Sequence, residues 1–309
     1  MNTVFFIDGG AGRVITAIPA LEHYVKSNPN ENIKIFVYGW DNLFWSNRLL
    51  QPLSFSVNDK GNFQKIFKEA DKILSPEPYR LPEYINQRAS LAEAFDILIN
   101  GKNNNLGPPR LNLSKQEIYS AKKYIENIKN KNKKNKVIVI QPFGSTAFYD
   151  SVNGSDYVID PSYRSMDLMM FSKIVKYLSE KYNVVLFSDE KFHFKEDNCT
   201  IKLNGDLRMY ASIINQCDYF IGCDSVGQHM ARAFDKPGTV VFGSTFPENV
   251  SYPDWFQIVD KNKELRVYSP LRINDIDCNM ADRMNEDCMN YSEKEIDDII
   301  ISIDERIKK

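Results

Sequence analysis

No stretch of the 309-residue sequence has the length of uninterrupted apolar residues that a membrane span requires. The N-terminal residues, Met1-Asn2-Thr3-Val4, lead directly into apolar sequence and contain no basic segment, so the pattern of a secretory signal peptide is missing too. We therefore expect a protein without a transmembrane segment that works in the cytoplasm. Peripheral attachment at the inner face of the membrane is the alternative location.

Cysteine and histidine are scarce, with five cysteines and three histidines in the whole chain. No two cysteines have the C-x-x-C spacing of a zinc site, and an odd number of scattered cysteines does not indicate a disulfide framework. Cys278 and Cys288 are ten residues apart but have no histidine nearby. We therefore expect reduced thiols and no bound metal.

The chain also lacks a strong excess of charge of either sign. Its formal net charge is −2 and its pI is about 6.0, which argues against nucleic-acid binding through bulk positive charge. One local run, Lys129 to Lys136, contains only lysine and asparagine, with no aromatic residue that could stack on a base. Such a run is typical of a solvated linker. Because 309 residues are enough for two domains, we place the domain boundary at this run.

The most informative stretch, residues 218–245, alternates between strand, turn and helix patterns. Residues 219–222 form a short apolar run, which is typical of a buried parallel strand. Asp224 and Ser225 then offer side-chain oxygens that can cap a helix over residues 226–234, and a Lys-Pro-Gly breaker separates this helix from a second strand. Ligands bind at the carboxyl ends of strands in open α/β sheets, so the polar residues predict a phosphate-binding helix terminus. An ordinary helix cap is the competing interpretation.

The N-terminus has a similar organisation, with a short apolar strand, a glycine-rich turn from Asp8 to Gly12, and then helical apolar spacing. This order is typical of the start of a nucleotide-binding α/β domain. A dinucleotide fingerprint fits Gly10 and Gly12 but requires a third glycine where Ile15 stands. We therefore do not expect NAD as a cofactor.

The stretch 218–245 resembles the D-S-G-x-x-H signature of the glycosyltransferase family that contains the lipopolysaccharide heptosyltransferases, glycosyltransferase family 9. The signature here is Asp224-Ser225-Val226-Gly227-Gln228-His229, and the Lys-Pro-x-x-x-x-Phe-Gly strand that follows it in the family is residues 236–243. The resemblance implies an α/β protein with the GT-B fold, in which two Rossmann-like domains face each other across a cleft. It places an acceptor-side domain at residues 1–130, a donor domain at residues 135–290, and a final helix at residues 291–309 that crosses back to the first domain.

Further segments resemble the same family. The segment from Gly12 to Leu21 resembles its N-terminal motif, and Pro142 to Thr146 resembles the first phosphate-side loop of its donor domain. The family's cation before the donor-domain helix corresponds to Arg164, and a small-residue loop corresponds to Ser188. The resemblance assigns donor binding to these residues: Gly10, Gly12, Gly144, Ser145, Thr146, Arg164, Ser188, Asp224, Ser225, Val226, Gly227 and His229.

One position departs from the family pattern. The aspartate that is the proposed catalytic base of the family corresponds to Arg13 in this chain. We therefore assign Arg13 to holding an anionic group such as a phosphate, and we assign the role of catalytic base to Asp8, at the tip of the first strand. An Arg13 that points into solvent and an Asp8 with a structural role are the alternatives.

The resemblance implies a metal-independent glycosyltransferase that moves a sugar from a nucleotide sugar, of the NDP or CMP type, to an acceptor hydroxyl. The nucleotide sugar is a co-substrate, and no bound cofactor or obligate protein partner is expected. The expected acceptor is a saccharide or a glycolipid of the lipopolysaccharide type, with a hydroxylated DNA base as the second choice. Two other functions stay open: a non-catalytic nucleotide-sugar-binding module, and a GT-B-shaped epimerase or hydrolase of nucleotide sugars.

Overall fold

A computed structural model of the chain describes residues 1–56, 58–152, 155–189, 200–203, 206–260 and 289–309. The chain divides into two compact units, the first over Met1–Ser114 and the second over the described residues from Lys115 onward. The sequence analysis placed this boundary at residues 130–135. The division lies earlier because the helix Lys115–Asn132 belongs to the second unit, where Glu117 accepts hydrogen bonds from the buried Arg208 at 2.7 and 2.8 Å.

The described part of the first unit contains a four-stranded parallel sheet. Its strands are β1 (Asn2–Ile7), β2 (Asn32–Val37), β3 (Ser54–Ser56) and β4 (Lys72–Leu74), in the spatial order β3-β2-β1-β4. Its helices are α1 (Ala11–Ser27), α2 (Pro82–Ile85) and α3 (Leu91–Asn100). Short 3₁₀ or π-helical turns cover Asp41–Phe44, Gln51–Leu53, Phe63–Phe67 and Pro78–Arg80.

The strand β1 lies inside this sheet because its side chains are apolar on both faces. Val4, Phe5 and Ile7 are fully buried, as expected for a parallel strand that is covered on both sides. The helix α1 follows after a short turn and packs on α3. Pro19 does not interrupt α1, which is continuous from Ala11 to Ser27. The turn between β1 and α1, which contains Asp8, therefore has a fixed position in the first unit.

The second unit consists of α4 (Lys115–Asn132) and a larger set of strands and helices. Its strands are β5 (Val137–Gln141), β6 (Phe148–Val152), β7 (Ser155–Ile159), β8 (Asn183–Asp189), β9 (Thr200–Leu203), β10 (Tyr219–Cys223), β11 (Gly238–Phe242) and β12 (Gln257–Asp260). Its other helices are α5 (Leu168–Lys181), α6 (Leu207–Gln216), α7 (Val226–Ala233), α8 (Pro247–Val250) and α9 (Glu293–Lys308). Six of the strands form a parallel sheet in the order β12-β11-β10-β5-β8-β9, and β6 pairs with β7 in an antiparallel hairpin.

The strands β5, β10 and β11 lie inside the larger sheet, and every residue in them is buried. Burial on both faces explains why their sequences are continuous apolar runs and do not alternate. Side chains of α5 and α9 pack with Ile138 and Ile140 of β5 in one apolar core. This core holds the sheet edge at which the candidate site lies.

The helix α9 begins at a capping box in which Ser292 accepts a hydrogen bond from the amide of Glu295. Its buried isoleucines belong to the core of the second unit: Ile296, Ile300, Ile303 and Ile307. On the same helix, Asp304 accepts hydrogen bonds from Lys181 at 2.8 Å and from Tyr182 at 2.7 Å. These contacts lie within the second unit. The crossing of the last helix back to the first unit stays a prediction.

Among the described residues, no helix is both long enough and apolar enough to cross a membrane. Cys217 and Cys223 are buried free thiols. The other cysteines, Cys199, Cys278 and Cys288, lie outside the described residues.

Candidate functional site

The larger sheet has a topological switch point between β5 and β10. From β5 the strand order continues to β8 and β9 on one side, and to β10, β11 and β12 on the other. Loops that follow two such neighbouring strands diverge and leave room for a ligand at the carboxyl edge of the sheet. The loop after β5 contains Gly144, Ser145 and Thr146, and the turn after β10 contains Asp224 and Ser225. The structure therefore brings the predicted residues of these two segments to the same edge.

The loop after β5 contains two exposed residues with hydroxyl groups. Ser145 and Thr146 are exposed, whereas Gly144 is buried beside them. The Gly144 amide donates a hydrogen bond to Ser165 Oγ at 3.0 Å, and Thr146 Oγ1 donates to Asp160 Oδ1 at 2.7 Å. The loop is thus fixed by the segment that precedes α5, and its outer surface is left free for a ligand.

The N-terminus of α7 is capped from the neighbouring strand. Gln141, the last residue of β5, accepts a hydrogen bond from the Gly227 amide at 2.8 Å and donates one to Ser225 Oγ at 3.0 Å. Ser225 itself makes no side-chain cap, although the sequence favoured it as a capping residue. A Cβ atom on Gly227 would lie 2.2 Å from Gln141 Oε1. The glycine is therefore required by the cap, independently of any ligand.

Asp224 is buried at the start of this turn. Its Oδ1 atom accepts a hydrogen bond from Gln228 Nε2 at 2.9 Å. Its Oδ2 atom lies 3.9 Å from Arg164 Nη1 and, within the described part of the chain, has no hydrogen-bond partner. The half-buried Val226 follows as the first residue of α7. Asp224 thus holds the positive charge of Arg164 close to the N-terminus of α7.

His229 lies one turn further along α7, in a buried position. Its Nδ1 atom is 3.0 Å from the hydroxyl oxygen of Tyr252. Burial lowers the pKa of His229 to about 4, against the opposing effect of the Asp224 charge. The imidazole is therefore neutral at pH 7 and contributes no positive charge to the sheet edge. The sequence pattern identified His229 but gave no indication of Tyr252.

Arg164 brings a largely buried cation to the same edge, since its side chain is 13% exposed. Its Nε atom donates a hydrogen bond to Ser162 Oγ at 2.8 Å. Its Nη1 atom donates a long hydrogen bond of 3.4 Å to the carbonyl oxygen of Asp224. A Cβ atom built on Gly144 would lie 3.8 Å from Arg164 Nη2, so the guanidinium also borders the loop after β5.

Asp160 organises this region, although no sequence motif pointed to it. Hydroxyl groups of Thr146, Ser162 and Ser165 donate to its two carboxylate oxygens at 2.7, 2.6 and 2.6 Å. Burial acts to raise the pKa of Asp160, but the hydrogen bonds outweigh it and lower this pKa to about 2. The group is therefore ionised at every physiological pH. An aspartate followed by serine two residues later, as in Asp160-Pro161-Ser162, is a known turn pattern that could have indicated it.

The loop after β11 also lies at this edge of the sheet. Ser244 donates a hydrogen bond from its Oγ atom to the Ser162 carbonyl at 2.5 Å, and from its amide to the Tyr163 carbonyl at 3.0 Å. Thr245 is buried, and its hydroxyl has no hydrogen-bond partner among the described residues. Ser188 lies near the carboxyl end of β8, next to β5, but its side chain lies outside the described part.

In the first unit, the predicted residue Arg13 is buried and bound by protein groups. Its Nη2 atom lies 3.0 Å from Asp8 Oδ1 and donates to the Pro76 carbonyl at 2.8 Å. Its Nη1 atom lies 3.1 Å from both carboxylate oxygens of Glu77. The rings of two buried aromatic residues border the guanidinium, with centroids at 5.3 and 5.7 Å: Tyr79 and Phe95. The alternative of a solvent-facing Arg13 is therefore wrong, and the sequence gave no indication of Glu77.

The glycines of the turn between β1 and α1 differ in whether their position requires a glycine. Gly9 has a φ of +89°, and a Cβ atom there would lie 2.8 Å from Arg13 Cδ, so a side chain is excluded. Gly10 is the exposed N-cap of α1, and a Cβ atom there would meet nothing within 4 Å. Gly12 is half-buried in the first turn of α1. The structure thus shows a local need for Gly9, which the sequence analysis did not single out, and none for the predicted Gly10.

The described ranges contain no group of three or more histidine, cysteine or carboxylate side chains that could hold a metal ion.

The sequence matches no protein-family model and no curated protein. Solved structures do match over nearly the whole chain. The ADP-heptose lipopolysaccharide heptosyltransferase II of Escherichia coli aligns over 100% of this chain and 99% of its own, with 13% identity and a TM-score of 0.60. A glycosyltransferase family 9 protein of Veillonella parvula aligns over 99% and 96%, with 13% identity and a TM-score of 0.66.

The iron-containing dodecameric glycosyltransferase TibC of enterotoxigenic E. coli aligns over 99% of this chain and 76% of its own, with 14% identity and a TM-score of 0.64. A second TibC structure contains ADP-D-β-D-heptose. The two units therefore have the GT-B glycosyltransferase fold. Within that fold class, the resemblance is to heptosyltransferases and glycosyltransferase family 9, which confirms the resemblance found in the sequence.

Proposed function

We propose that this protein is a glycosyltransferase that transfers a sugar from a nucleotide sugar to a hydroxyl group of an acceptor. One observation carries the proposal: the Arg164 guanidinium lies 3.4 Å from the Asp224 carbonyl, beside the N-terminus of α7 and at the switch point of the larger sheet. A phosphate group at this edge would meet a fixed cation and the positive end of a helix dipole. TibC, which shares the fold, binds a nucleotide sugar.

The donor's phosphates are proposed to bind between Arg164 and the loop after β5. Ser145 is exposed there, and beside it lies Thr146, whose hydroxyl hydrogen is donated to Asp160. The Gly227 amide is engaged by Gln141, so it contributes to the helix terminus and not to direct phosphate binding. Negative charge develops on the phosphate as the bond to the sugar breaks, and Arg164 stabilises it there without reorganisation. This arrangement favours a donor of the NDP type over the CMP type, because it offers several contacts along a diphosphate.

Asp8 is the proposed base of the first unit. Its side chain is 29% exposed, and one of its oxygens lies beside Arg13. The carboxylate would accept the proton of the acceptor hydroxyl while the hydroxyl oxygen forms the new bond to the sugar. The sugar's bond to the donor phosphate breaks, and the nucleotide leaves with the electron pair. Arg13 serves this step by fixing Asp8 and not by holding an anionic substrate, because its Nη atoms face Asp8, Glu77 and Pro76.

The finer assignments belong to the same proposal. The acceptor is a saccharide or glycolipid, with a hydroxylated DNA base as the second choice, and the protein works in the cytoplasm. The reaction needs no bound metal, because Arg164 supplies the charge that a divalent cation would otherwise supply.

The first experiment is a thermal-shift panel with nucleoside diphosphates, CMP, nucleotide sugars and NAD. A ligand at one hundred times its dissociation constant stabilises the folded state by about 2.7 kcal/mol, which is readily measured. Arg164→Met serves as the matched variant, because it keeps the length of the side chain and removes the guanidinium. We expect a shift with one nucleoside diphosphate and its sugar, and a much smaller shift in the variant.

Turnover then separates the three candidate functions. Donor consumption that requires an added acceptor supports the transferase. Donor conversion by the protein alone would identify an epimerase or hydrolase, and donor binding without consumption by any acceptor would identify a binding module. A shift in melting temperature with NAD alone, or the lack of a shift with any nucleotide tested, would contradict the proposed donor site.

A further inference from the structure

The carboxylate of Asp160 is the centre of a dense local set of hydrogen bonds. Its Oδ1 atom accepts from Thr146 Oγ1 at 2.7 Å, and from the amide and hydroxyl of Ser162 at 2.9 and 2.6 Å. Its Oδ2 atom accepts from the amide and hydroxyl of Ser165 at 2.9 and 2.6 Å, and from the Arg164 amide at 3.3 Å. All of these donors belong to the two loops that form the proposed phosphate site.

The two serines extend this arrangement in parallel. Each donates its hydroxyl hydrogen to Asp160 and can therefore accept a hydrogen bond with the same oxygen. Ser162 Oγ accepts from Arg164 Nε at 2.8 Å, and Ser165 Oγ accepts from the Gly144 amide at 3.0 Å. Asp160 is thus connected through one serine to the guanidinium, and through the other to the loop after β5.

The connections from Asp160 to Arg164 and to Gly144 both require a carboxylate at position 160. An ionised aspartate only accepts hydrogen bonds, so both oxygens can face donors at once. An asparagine of the same shape would place an NH₂ group against one of the two sets of donors, and the serine on that side would lose its acceptor. The Ser162 or Ser165 hydroxyl would then reorient, and its bond to Arg164 or Gly144 would weaken.

We propose that Asp160 is a positioning residue that holds the Arg164 guanidinium and the Gly144 loop in the geometry that binds a pair of phosphates. The inference rests on the proposed function, since it concerns the same donor site. A free arginine side chain loses rotamer entropy when it binds a ligand, and a guanidinium that is already fixed does not incur that loss again. Asp160 thereby raises affinity for the phosphates without touching them.

Asp160→Asn is the decisive variant, and Asp167→Asn is its matched control. Asp167 caps α5 through the amides of Met169 and Met170, and asparagine caps a helix about equally well. Calorimetry would measure the binding of ADP, UDP, GDP and CDP and, in separate titrations, of the nucleoside that corresponds to each. We expect Asp160→Asn to weaken diphosphate binding roughly tenfold, and nucleoside binding by less than about twofold, with no change in Asp167→Asn.

A second readout does not depend on the ligand. The NMR signal of the Arg164 Nε–H group, assigned by its loss in Arg164→Lys, reports whether the guanidinium is fixed. We expect a sharp, slowly exchanging signal in the unmodified protein and in Asp167→Asn, and a broadened signal in Asp160→Asn. Should Asp160→Asn fail to fold, Ser162→Ala breaks the connection to Arg164, together with the contact between the Ser162 and Thr146 hydroxyls, and leaves the connection through Ser165 to Gly144 in place. It is expected to give the same selective loss.

The outcomes distinguish the positioning role of Asp160 from the proposed function. Equal Arg164 signals in Asp160→Asn and the unmodified protein would overturn the positioning role, as would equal losses of diphosphate and nucleoside affinity. If the unmodified protein binds none of the four diphosphates, the proposed function fails, while a broadened Arg164 signal in Asp160→Asn still supports the positioning role.

Discussion

Arg13 Nη1 lies 3.1 Å from each carboxylate oxygen of Glu77, a residue 64 positions further along the chain. With Asp8 on its other side, the guanidinium is shared by two carboxylates, so the three side chains together have a net charge of −1. The arginine therefore does not make this sheet edge positive. Because its charge is already compensated by protein carboxylates, Arg13 is not a free cation for an anionic group of the substrate.

Replacing Arg13 with methionine should destabilise the first unit by about 2 kcal/mol. A broken buried ion pair costs more, but Asp8 and Glu77 are partly exposed and water reduces the penalty. Trp40 and Trp45 lie in the first unit and Trp255 in the second, so urea unfolding in a Trp255→Phe background reports the first unit alone.

Lys26→Met provides the control for this measurement. It removes an exposed pair with Glu22, at 3.6 Å, from the same helix, and should change stability by less than about 0.5 kcal/mol. Similar small effects in both variants would mean that the Arg13 cluster is not a structural centre.

Asp8→Asn should abolish transfer while donor affinity stays within about twofold, because a positioned base contributes roughly 100- to 10,000-fold to the rate. Glu77→Gln should have a weaker effect on the rate, because it leaves Asp8 in place and removes one of two partners of Arg13. Rate and donor affinity are measured separately for both variants. If Asp8→Asn loses donor binding together with transfer, Asp8 has a structural role.

Stability should fall between pH 6.5 and pH 4 because of His229. Burial lowers its pKa in the folded protein to about 4, below the unfolded value of 6.5, so the unfolded chain binds more protons in this range. The contribution of His229 is complete above pH 6.5 and is lost as the pH falls toward the folded pKa. Thermal unfolding across this range, compared with His229→Gln, checks the prediction; the variant should have a flatter profile.

Asp160 and Asp304 affect a lower pH range. Their pKa values are lowered below the usual 3.8 by hydrogen bonds that outweigh the effect of burial, so their stabilisation persists down to that pH and is lost only below it. An equally steep profile for His229→Gln above pH 4 would therefore show that another group is responsible.

Gly227→Ala should destabilise the second unit by 2 kcal/mol or more, because the added Cβ atom would lie 2.2 Å from Gln141 Oε1 and 2.8 Å from the Phe220 ring, a close overlap at roughly the cost of overpacking. Gly10→Ala is the matched control, since its Cβ atom would meet nothing within 4 Å. Trp255 fluorescence in a Trp40→Phe and Trp45→Phe background follows the second unit. A tolerated alanine at position 227 would show that the Gln141 cap can move without loss.

Removal of metal ions should leave donor binding and transfer unchanged, because Arg164 supplies the stabilising charge. The protein is treated with EDTA, its iron content is measured before and after, and activity is compared with that of the untreated sample. Activity that disappears with the chelator and returns with one added metal would contradict the proposal. The iron content matters because TibC is an iron-containing protein.

The sequence predicted the structure best where a local pattern also determines the position of a segment in a sheet. Continuous apolar runs predicted the central strands of both sheets, and the loop residues after β5 and β10, such as Gly144 and Asp224, do lie at one carboxyl edge. The placement of these residues at that edge depends only weakly on strand order, because all strands of a parallel sheet have their carboxyl ends on the same side.

Contacts between distant segments could not be predicted in the same way. Gln141 caps a helix 86 residues away, and Glu77 binds an arginine 64 residues away, so no local pattern indicates either contact. The Lys/Asn run is a related case. It looked like a linker, but residues 129–132 belong to α4, which lies in the second unit.

The isoleucines of α9 have a consequence for how the protein is made. The core of the second unit is closed by four isoleucines that are synthesised after all the other described strands and helices of that unit: Ile296, Ile300, Ile303 and Ile307. Segments from β5 onward are synthesised long before the helix that covers them, and their apolar surface stays open during that interval. The described sheet and helices of the first unit, in contrast, are all made before residue 115. The apolar core beneath the proposed donor site is therefore completed only after synthesis of α9.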